Sequence, residues 1–96
     1  MVTRPKPNPD PMIADEAPMV PELTDYDFLM LERYLRLLDA ESEGADWREV
    51  AQIVLKVDPD MHYVHAKRVY DSHIARAHWM TEHGYRQLLR EAEQEF

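Results

Sequence analysis

Prolines are concentrated at the start of the chain and limit where regular structure can form there. Six of the seven prolines lie within the first 21 of 96 residues. Proline has no backbone N–H and pushes the preceding residue away from helical backbone angles, so a dense run of prolines disfavours both helices and strands. We therefore expect residues 1–22 to form a flexible, largely disordered tail, and residues 23–96 to form the one folded domain. Four apolar tail residues are candidates for docking onto the domain or for a short linear motif: Met12, Ile13, Met19 and Val20.

The rest of the chain carries apolar residues at the three- and four-residue spacing of amphipathic helices. Thr24 is typical of a helix start, because its hydroxyl accepts a hydrogen bond from a free backbone N–H. Gly44 predicts the end of this first helix, since glycine tolerates the left-handed conformation that follows many helices. Four residues at helical spacing form the expected buried face of this helix: Phe28, Leu31, Leu35 and Leu38.

Two further helices follow, with a turn between them. Asp46 opens the second helix, which must end before Pro59, and a third helix is predicted over residues 61–81. Gly84 is expected to break the third helix and to precede a short fourth one. No stretch alternates apolar and polar residues as a strand does, so the predicted fold class is all-α. The layout predicts a helix-turn-helix variant with an extended turn and about four helices.

The charge balance of the chain is strongly acidic. The sequence has 11 Lys+Arg against 19 Asp+Glu, which gives a formal net charge of -8. An acidic surface repels the phosphate backbone, so this balance predicts a protein that does not bind nucleic acid. No apolar run is long enough to cross a bilayer and no signal peptide is recognisable. We therefore expect a cytoplasmic protein with no membrane partner.

The sequence offers little to catalysis or metal binding. It has no cysteine, and its two glycines lie far apart, which excludes a thiol nucleophile and a glycine-rich phosphate loop. We expect no enzyme activity, no cofactor and no small-molecule ligand. His62 and His65 leave open a zinc or nickel site, or a small metal-dependent enzyme. Surface imidazoles are the favoured interpretation, because two ligands do not close a metal site.

The third helix presents few basic residues on the side away from its core face. That side carries Arg68, Ser72 and Arg76, which are residue types that contact DNA. Asp71 lies among them, and further acidic residues precede and follow the helix. The helix geometry suits a major groove but the charges oppose it. Direct DNA binding through this helix is therefore the alternative function.

The first helix is too apolar for a single buried stripe. Taken from Phe28 as one uninterrupted helix, part of its apolar surface points away from the core. This excess indicates either a helix buried on all sides or an exposed patch that binds a protein partner. Six residues of the first and third helices are the candidates for that patch: Leu29, Arg33, Leu37, Met30, Tyr26 and Trp79.

Several motifs together resemble a known bacterial family. They are residues 38–40 (Leu-Asp-Ala), Gly44, residues 47–51 (Trp-Arg-Glu-Val-Ala) and residues 84–90 (Gly-Tyr-Arg-Gln-Leu-Leu-Arg). Their order and spacing are similar to a proteobacterial helix-turn-helix domain with an extended turn, long catalogued as of unknown function and found on mobile genetic elements. The closing motif is the most distinctive, and the proline-rich tail lies outside the resemblance.

Two kinds of protein carry the domain in that family. FseA-type activators join it to an N-terminal partner domain and bind DNA with a basic face, whereas antiactivators consist of the acidic domain alone. The resemblance, with the net charge of -8, implies an antiactivator. Such a protein would bind the N-terminal domain of an FseA-like activator and also a LuxR-type quorum-sensing regulator. It would repress excision and conjugative transfer of an integrative element.

Overall fold

The computed structural model describes residues 4–94, and this part of the chain contains helices and no strand. The all-α prediction is confirmed. A π-helical turn at Met80–Gly84 joins the last two helices. The five α-helices are α1 (Asp25–Leu29), α2 (Leu31–Ser42), α3 (Trp47–Ile53), α4 (Tyr63–Trp79) and α5 (Tyr85–Gln94).

The predicted first helix is interrupted at Met30. Thr24 caps α1 as expected, accepting a hydrogen bond from the Asp27 backbone while the Asp27 carboxylate accepts one from the Thr24 N–H. Met30 then leaves helical geometry, with φ -94° and ψ 3°. The buried positions still follow helical spacing across this break, since Asp27, Met30, Tyr34 and Leu37 lie three, four and three residues apart.

The end of α2 follows the prediction made from Gly44. This glycine has φ +75°, a conformation that costs little without a Cβ atom. The Gly44 N–H donates to the Glu41 carbonyl over 3.0 Å, and the Ala45 N–H donates to the Ala40 carbonyl over 3.0 Å. These two bonds form a Schellman motif, which satisfies carbonyls that the helix end leaves free.

A longer turn than usual connects α3 and α4, as the sequence predicts. Asp46 caps α3 by accepting a hydrogen bond from the Arg48 N–H. Lys56 turns the chain out of α3 with φ 60°, the one positive φ outside glycine in the described residues. Asp58 then accepts hydrogen bonds from the Asp60 N–H and, through its carbonyl, from the His62 N–H. The hydrogen bonds that Asp58 accepts therefore stabilise the turn.

Gly44 and Lys56 make a matched pair of left-handed positions with opposite expected responses. Gly44→Ala places a Cβ on a positive-φ residue and should lower the free energy of unfolding by about 1 kcal/mol. Lys56→Gly removes the strain of a side chain at positive φ. It should raise the free energy of unfolding by about 0.5–1 kcal/mol, after the larger entropy of the unfolded glycine is subtracted. Chemical denaturation measures both. Equal effects of the same sign would contradict the assignment.

Gly84 does not break the last helix, contrary to the prediction. The chain passes from α4 through the π turn directly into α5. A Cβ at Gly84 would lie 2.8 Å from Met80 Sδ and 2.9 Å from Trp79 Cζ3. The glycine therefore allows a side chain and an indole ring to lie against the backbone, and the widened turn keeps the helix continuous.

The core lies mainly between α2 and α4, and α3 closes one end of it. Its largest fully buried apolar side chains come from the α1–α2 junction, α2, the long turn and α4: Met30, Tyr34, Leu37, Leu55 and Val69. Met80 of the π turn joins the same cluster.

The proline-rich segment forms no helix or strand but lies along the body, which differs from the expected free tail. Arg4 binds Glu91 of α5 over 2.8 Å, and Pro11 and Ala17 are buried. Proline removes a donor but not a carbonyl, so the segment can still accept hydrogen bonds from side chains. The carbonyls of Pro9 and Pro21 do so, which explains how a segment without secondary structure is held.

Candidate functional site

An ion pair at the centre of the molecule joins α1 to α4. Arg76 donates through Nε to Asp27 Oδ1 over 3.0 Å and through Nη2 to Oδ2 over 2.7 Å. Both residues are buried, with Arg76 3% exposed and Asp27 0%. Two further guanidinium N–H groups donate to the carbonyls of Val20 and Glu22, each over 2.7 Å. Arg76 is therefore not on the surface, which corrects its predicted place on a DNA-facing side.

The Asp27 carboxylate has further donors besides Arg76. Tyr34 Oη donates to Oδ1 over 2.9 Å, and the Thr24 N–H donates to Oδ2 over 2.9 Å. Burial alone would raise the pKa of Asp27, but the hydrogen bonds from Arg76, Thr24 and Tyr34 outweigh it and hold the pKa below its usual value. Burial and the neighbouring carboxylate raise the pKa of Tyr34. The charged carboxylate is therefore the form that the fold stabilises.

We expect Asp27→Asn to destabilise the protein strongly, because it leaves the Arg76 guanidinium buried without a counter-charge. The loss should be about 3–5 kcal/mol, much of the stability of a domain this small. Asp25→Asn is the matched control, since Asp25 lies on the same helix, is largely exposed and pairs with Arg4 over 3.2 Å. Thermal and urea unfolding measure both variants. A loss below about 1 kcal/mol for Asp27→Asn would show that the pair is dispensable.

Acid should also weaken this pair. A pKa lowered by folding means that stability from Asp27 is present above the unfolded pKa of about 4 and is lost as pH falls through the lower folded value.

The other two residues of the predicted DNA-facing set lie closer to the surface than Arg76. Ser72 is half-buried; its hydroxyl donates to the Val69 carbonyl over 3.1 Å and accepts from the Ala17 N–H over 3.0 Å. Arg68 is exposed, and its Nε lies 3.8 Å from Glu16 Oε1. Of these three residues, Arg68 is the one whose side chain is exposed to solvent.

The predicted partner-binding patch on the first helix is mostly inside the protein. Leu37 and Met30 are 0% exposed and Arg33 is 4% exposed, while Leu29 is half-buried. Arg33 donates to the Val54 carbonyl over 2.8 Å, which satisfies the end of α3. The expected exposure is therefore wrong. The predicted core face followed the apolar residues, whereas the buried face of this region includes the charged residues Asp27 and Arg33.

Tyr26 and Trp79 are half-buried. The Tyr26 hydroxyl lies 2.7 Å from His73 Nε2 and accepts from the Ala14 N–H over 3.0 Å. His73 Nδ1 lies 2.7 Å from the Val69 carbonyl, so it carries the proton and Nε2 accepts from Tyr26. Burial lowers the pKa of His73, which keeps the imidazole neutral. The Trp79 ring lies under the Arg76 guanidinium at 3.8 Å and shields the central pair from solvent.

An exposed apolar groove lies between α2 and the C-terminal helix instead of at the predicted patch. Its volume is about 390 Å³. Leu35 is 64% exposed and Tyr85 is 58% exposed. The predicted core positions on α2 line this groove, together with residues of the closing motif: Leu31, Leu35, Leu38, Tyr85 and Leu88. In the sequence, the apolar stripe of α5 indicates this groove.

Basic and aromatic side chains alternate where α3 meets the start of α4. Lys67 Nζ lies 4.8 Å from the centre of the Trp47 ring and 5.9 Å from that of Tyr70. Arg48 lies 5.7 Å from the Tyr63 ring centre. This cluster was not among the predicted sites, although the spacing of Tyr63, Lys67 and Tyr70 by four and three residues places them on one side of a helix. Cations beside aromatic faces are suited to nucleic-acid contact.

The candidate metal residues do not form a site in the described part of the chain. His65 lies 3.8 Å from Asp15, and no group of three or more potential ligands is found among residues 4–94. None of the helices described between those residues combines the length and the apolar character needed to cross a bilayer.

Comparison with known families decides the class of the protein. A family model described as the RovC DNA-binding domain, "T6SS, Transcription factor, DNA binding domain", matches residues 12–90. The chain belongs to this family. The expected absence of nucleic acid among its partners is therefore wrong, since the family is one of DNA-binding domains. It is a family of transcription factors and not of enzymes. No curated protein matches the chain.

The net charge of -8 does not decide whether one face can meet DNA, because the acidic residues have different local roles. Asp27 is neutralised by Arg76, and Asp46 and Asp58 accept hydrogen bonds that cap α3 and fold the turn. Asp71 pairs with Lys67 over 3.0 Å. Net charge describes the whole molecule, whereas DNA contact depends on the charges of one face.

Proposed function

We propose that the chain is a DNA-binding transcriptional regulator that contacts DNA with the amino-terminal half of α4. The observation that carries this proposal is the family match over residues 12–90, which spans the α3–turn–α4 unit. In a helix-turn-helix, the first turns of the second helix enter the major groove. Here those turns are the exposed beginning of α4.

The side chains at that end of α4 fit such a contact. Val64 is 72% exposed and Tyr63 is 50% exposed, and apolar side chains of this kind contact the methyl group of thymine. Arg68 lies one turn further on and can donate to a phosphate or a guanine edge. Lys67 and Arg48 flank this surface and are placed for the phosphate backbone.

We expect Arg68→Ala to weaken DNA binding about five- to ten-fold near 0.1 M salt and to reduce the salt slope by roughly one. Fluorescence anisotropy with duplexes enriched from a random-sequence pool measures this. Arg36→Ala is the control, because Arg36 lies on α2 and pairs with Glu32 over 3.3 Å. Equal binding by both variants would remove Arg68 from the interface, and no enrichment by the unaltered chain would refute the proposed function.

A second candidate function is favoured by the exposed groove between α2 and α5. An open apolar surface on an acidic domain suits a protein partner with an apolar helix and basic flanks. This would make the chain an antiactivator similar to QseM, which binds an FseA-like activator or a LuxR-type quorum-sensing regulator. It would then control excision and conjugative transfer of an integrative element. The groove replaces the buried Leu37 region as the candidate surface.

Leu35→Asp tests the antiactivator proposal. Leu35 and Ile53 are both 64% exposed, so Ile53→Asp is a control that matches it in exposure and chemistry. We expect Leu35→Asp to reduce co-purification with an FseA-like activator by about ten-fold or more, as for the loss of a central apolar anchor, and Ile53→Asp to leave it unchanged. Normal binding by a folded Leu35→Asp protein would exclude the groove as the contact.

A further inference from the structure

Part of the proline-rich segment crosses the outer side of α4. We define the strap as residues 12–18. The Ala14 N–H donates to the Tyr26 hydroxyl and the Ala17 N–H donates to Ser72 Oγ, each over 3.0 Å. Ala17 is 4% exposed, so the strap contacts the helix closely at this point. It therefore covers Ser72, one of the residues expected to face DNA.

The two acidic residues of the strap lie beside the basic residues of this side of α4. Glu16 Oε1 is 3.8 Å from Arg68 Nε, and Asp15 Oδ1 is 3.8 Å from His65 Nε2. Carboxylate oxygens here occupy the neighbourhood that phosphate oxygens would need in order to reach the same side chains. The carboxylates of Asp15 and Glu16 therefore oppose the approach of phosphate to this side of α4, because like charges repel.

The strap is held by the N–H groups of Ala14 and Ala17 and by the burial of Ala17, whereas its acidic side chains are exposed. Beyond it, the carbonyls of Val20 and Glu22 bind the buried Arg76 over 2.7 Å each. Within it, Asp15 and Glu16 are exposed, and exposed ion pairs contribute little. Met12 and Met19 are 92% and 84% exposed. Displacement of the strap breaks the hydrogen bonds of Ala14 and Ala17 and the packing of Ile13, but not the separate bonds of residues 20–22 to Arg76.

We propose that the strap is an autoinhibitory element that occupies the DNA-contacting side of α4 and must be displaced before DNA binds there. The proposal rests on the proposed DNA-binding function and names its regulation. It explains why the strap carries carboxylates at the two positions beside His65 and Arg68. It also gives the start of the family match at residue 12 a physical meaning, because the match includes the strap.

A reversible cross-link tests the proposal. The chain has no cysteine, so Ala17→Cys with Ser72→Cys introduces a single thiol pair at a point where Ala17 N and Ser72 Oγ lie 3.0 Å apart. Oxidation fixes the strap on α4, and thiol titration confirms the bond. We expect the oxidised protein to bind enriched duplexes at least about ten-fold more weakly than the same protein after reduction. The reduced form is the control for both substitutions.

Charge neutralisation gives a second measurement that needs no cross-link. Asp15→Asn with Glu16→Gln should strengthen binding about three- to ten-fold beyond Asp39→Asn with Glu43→Gln, which changes the net charge equally at the far end of α2. Equal binding by the oxidised and reduced forms, or by the two charge variants, would overturn the strap proposal and leave the proposed function standing. Failure of the unaltered and all variant chains to bind duplexes would instead refute the proposed function.

Discussion

The buried pair of Asp27 and Arg76 is the interaction on which the rest of the structure depends. It connects α1 to α4 across the core through two hydrogen bonds. Arg76 Nε donates to Asp27 Oδ1 over 3.0 Å, and Nη2 donates to Oδ2 over 2.7 Å. An ion pair without water must be fully satisfied to be tolerated. Tyr34 and Thr24 also donate hydrogen bonds to the carboxylate. The carbonyls of Val20 and Glu22 accept hydrogen bonds from the guanidinium. The pair therefore fixes the helices and the segment before α1 at once.

Most of the fold was predictable from the sequence because it depends on local signals. Thr24 and Asp46 start helices and Gly44 ends one, as capping chemistry requires. The faces of α1 and α2 were not predictable, since the buried face includes the charged residues Asp27 and Arg33, which an apolar pattern assigns to solvent. Gly84 was misassigned because the sequence does not distinguish a glycine that leaves room for a neighbouring indole ring from a glycine that ends a helix.

The candidate site was less predictable than the fold, for a reason that Arg76 illustrates. A helical projection gives the direction of a side chain on its own helix but not what lies over it. Arg76 was assigned to the outer side of α4, but it follows His73 by three residues on the buried side of the helix. The carbonyls of Val20 and Glu22 accept two of its hydrogen bonds. Proline density indicated correctly that this segment has no secondary structure. It gave no information on whether the carbonyls of the segment would find donors.

The acidity of the chain and its membership of a DNA-binding family are compatible once charges are placed in space. Part of the negative charge folds the molecule, at Asp27, Asp46 and Asp58. Another part, at Asp15 and Glu16, lies directly over the side of α4 that would meet DNA. In the strap proposal, these two carboxylates oppose DNA only while the strap lies on α4. A net negative charge and membership of a DNA-binding family can therefore belong to the same small domain.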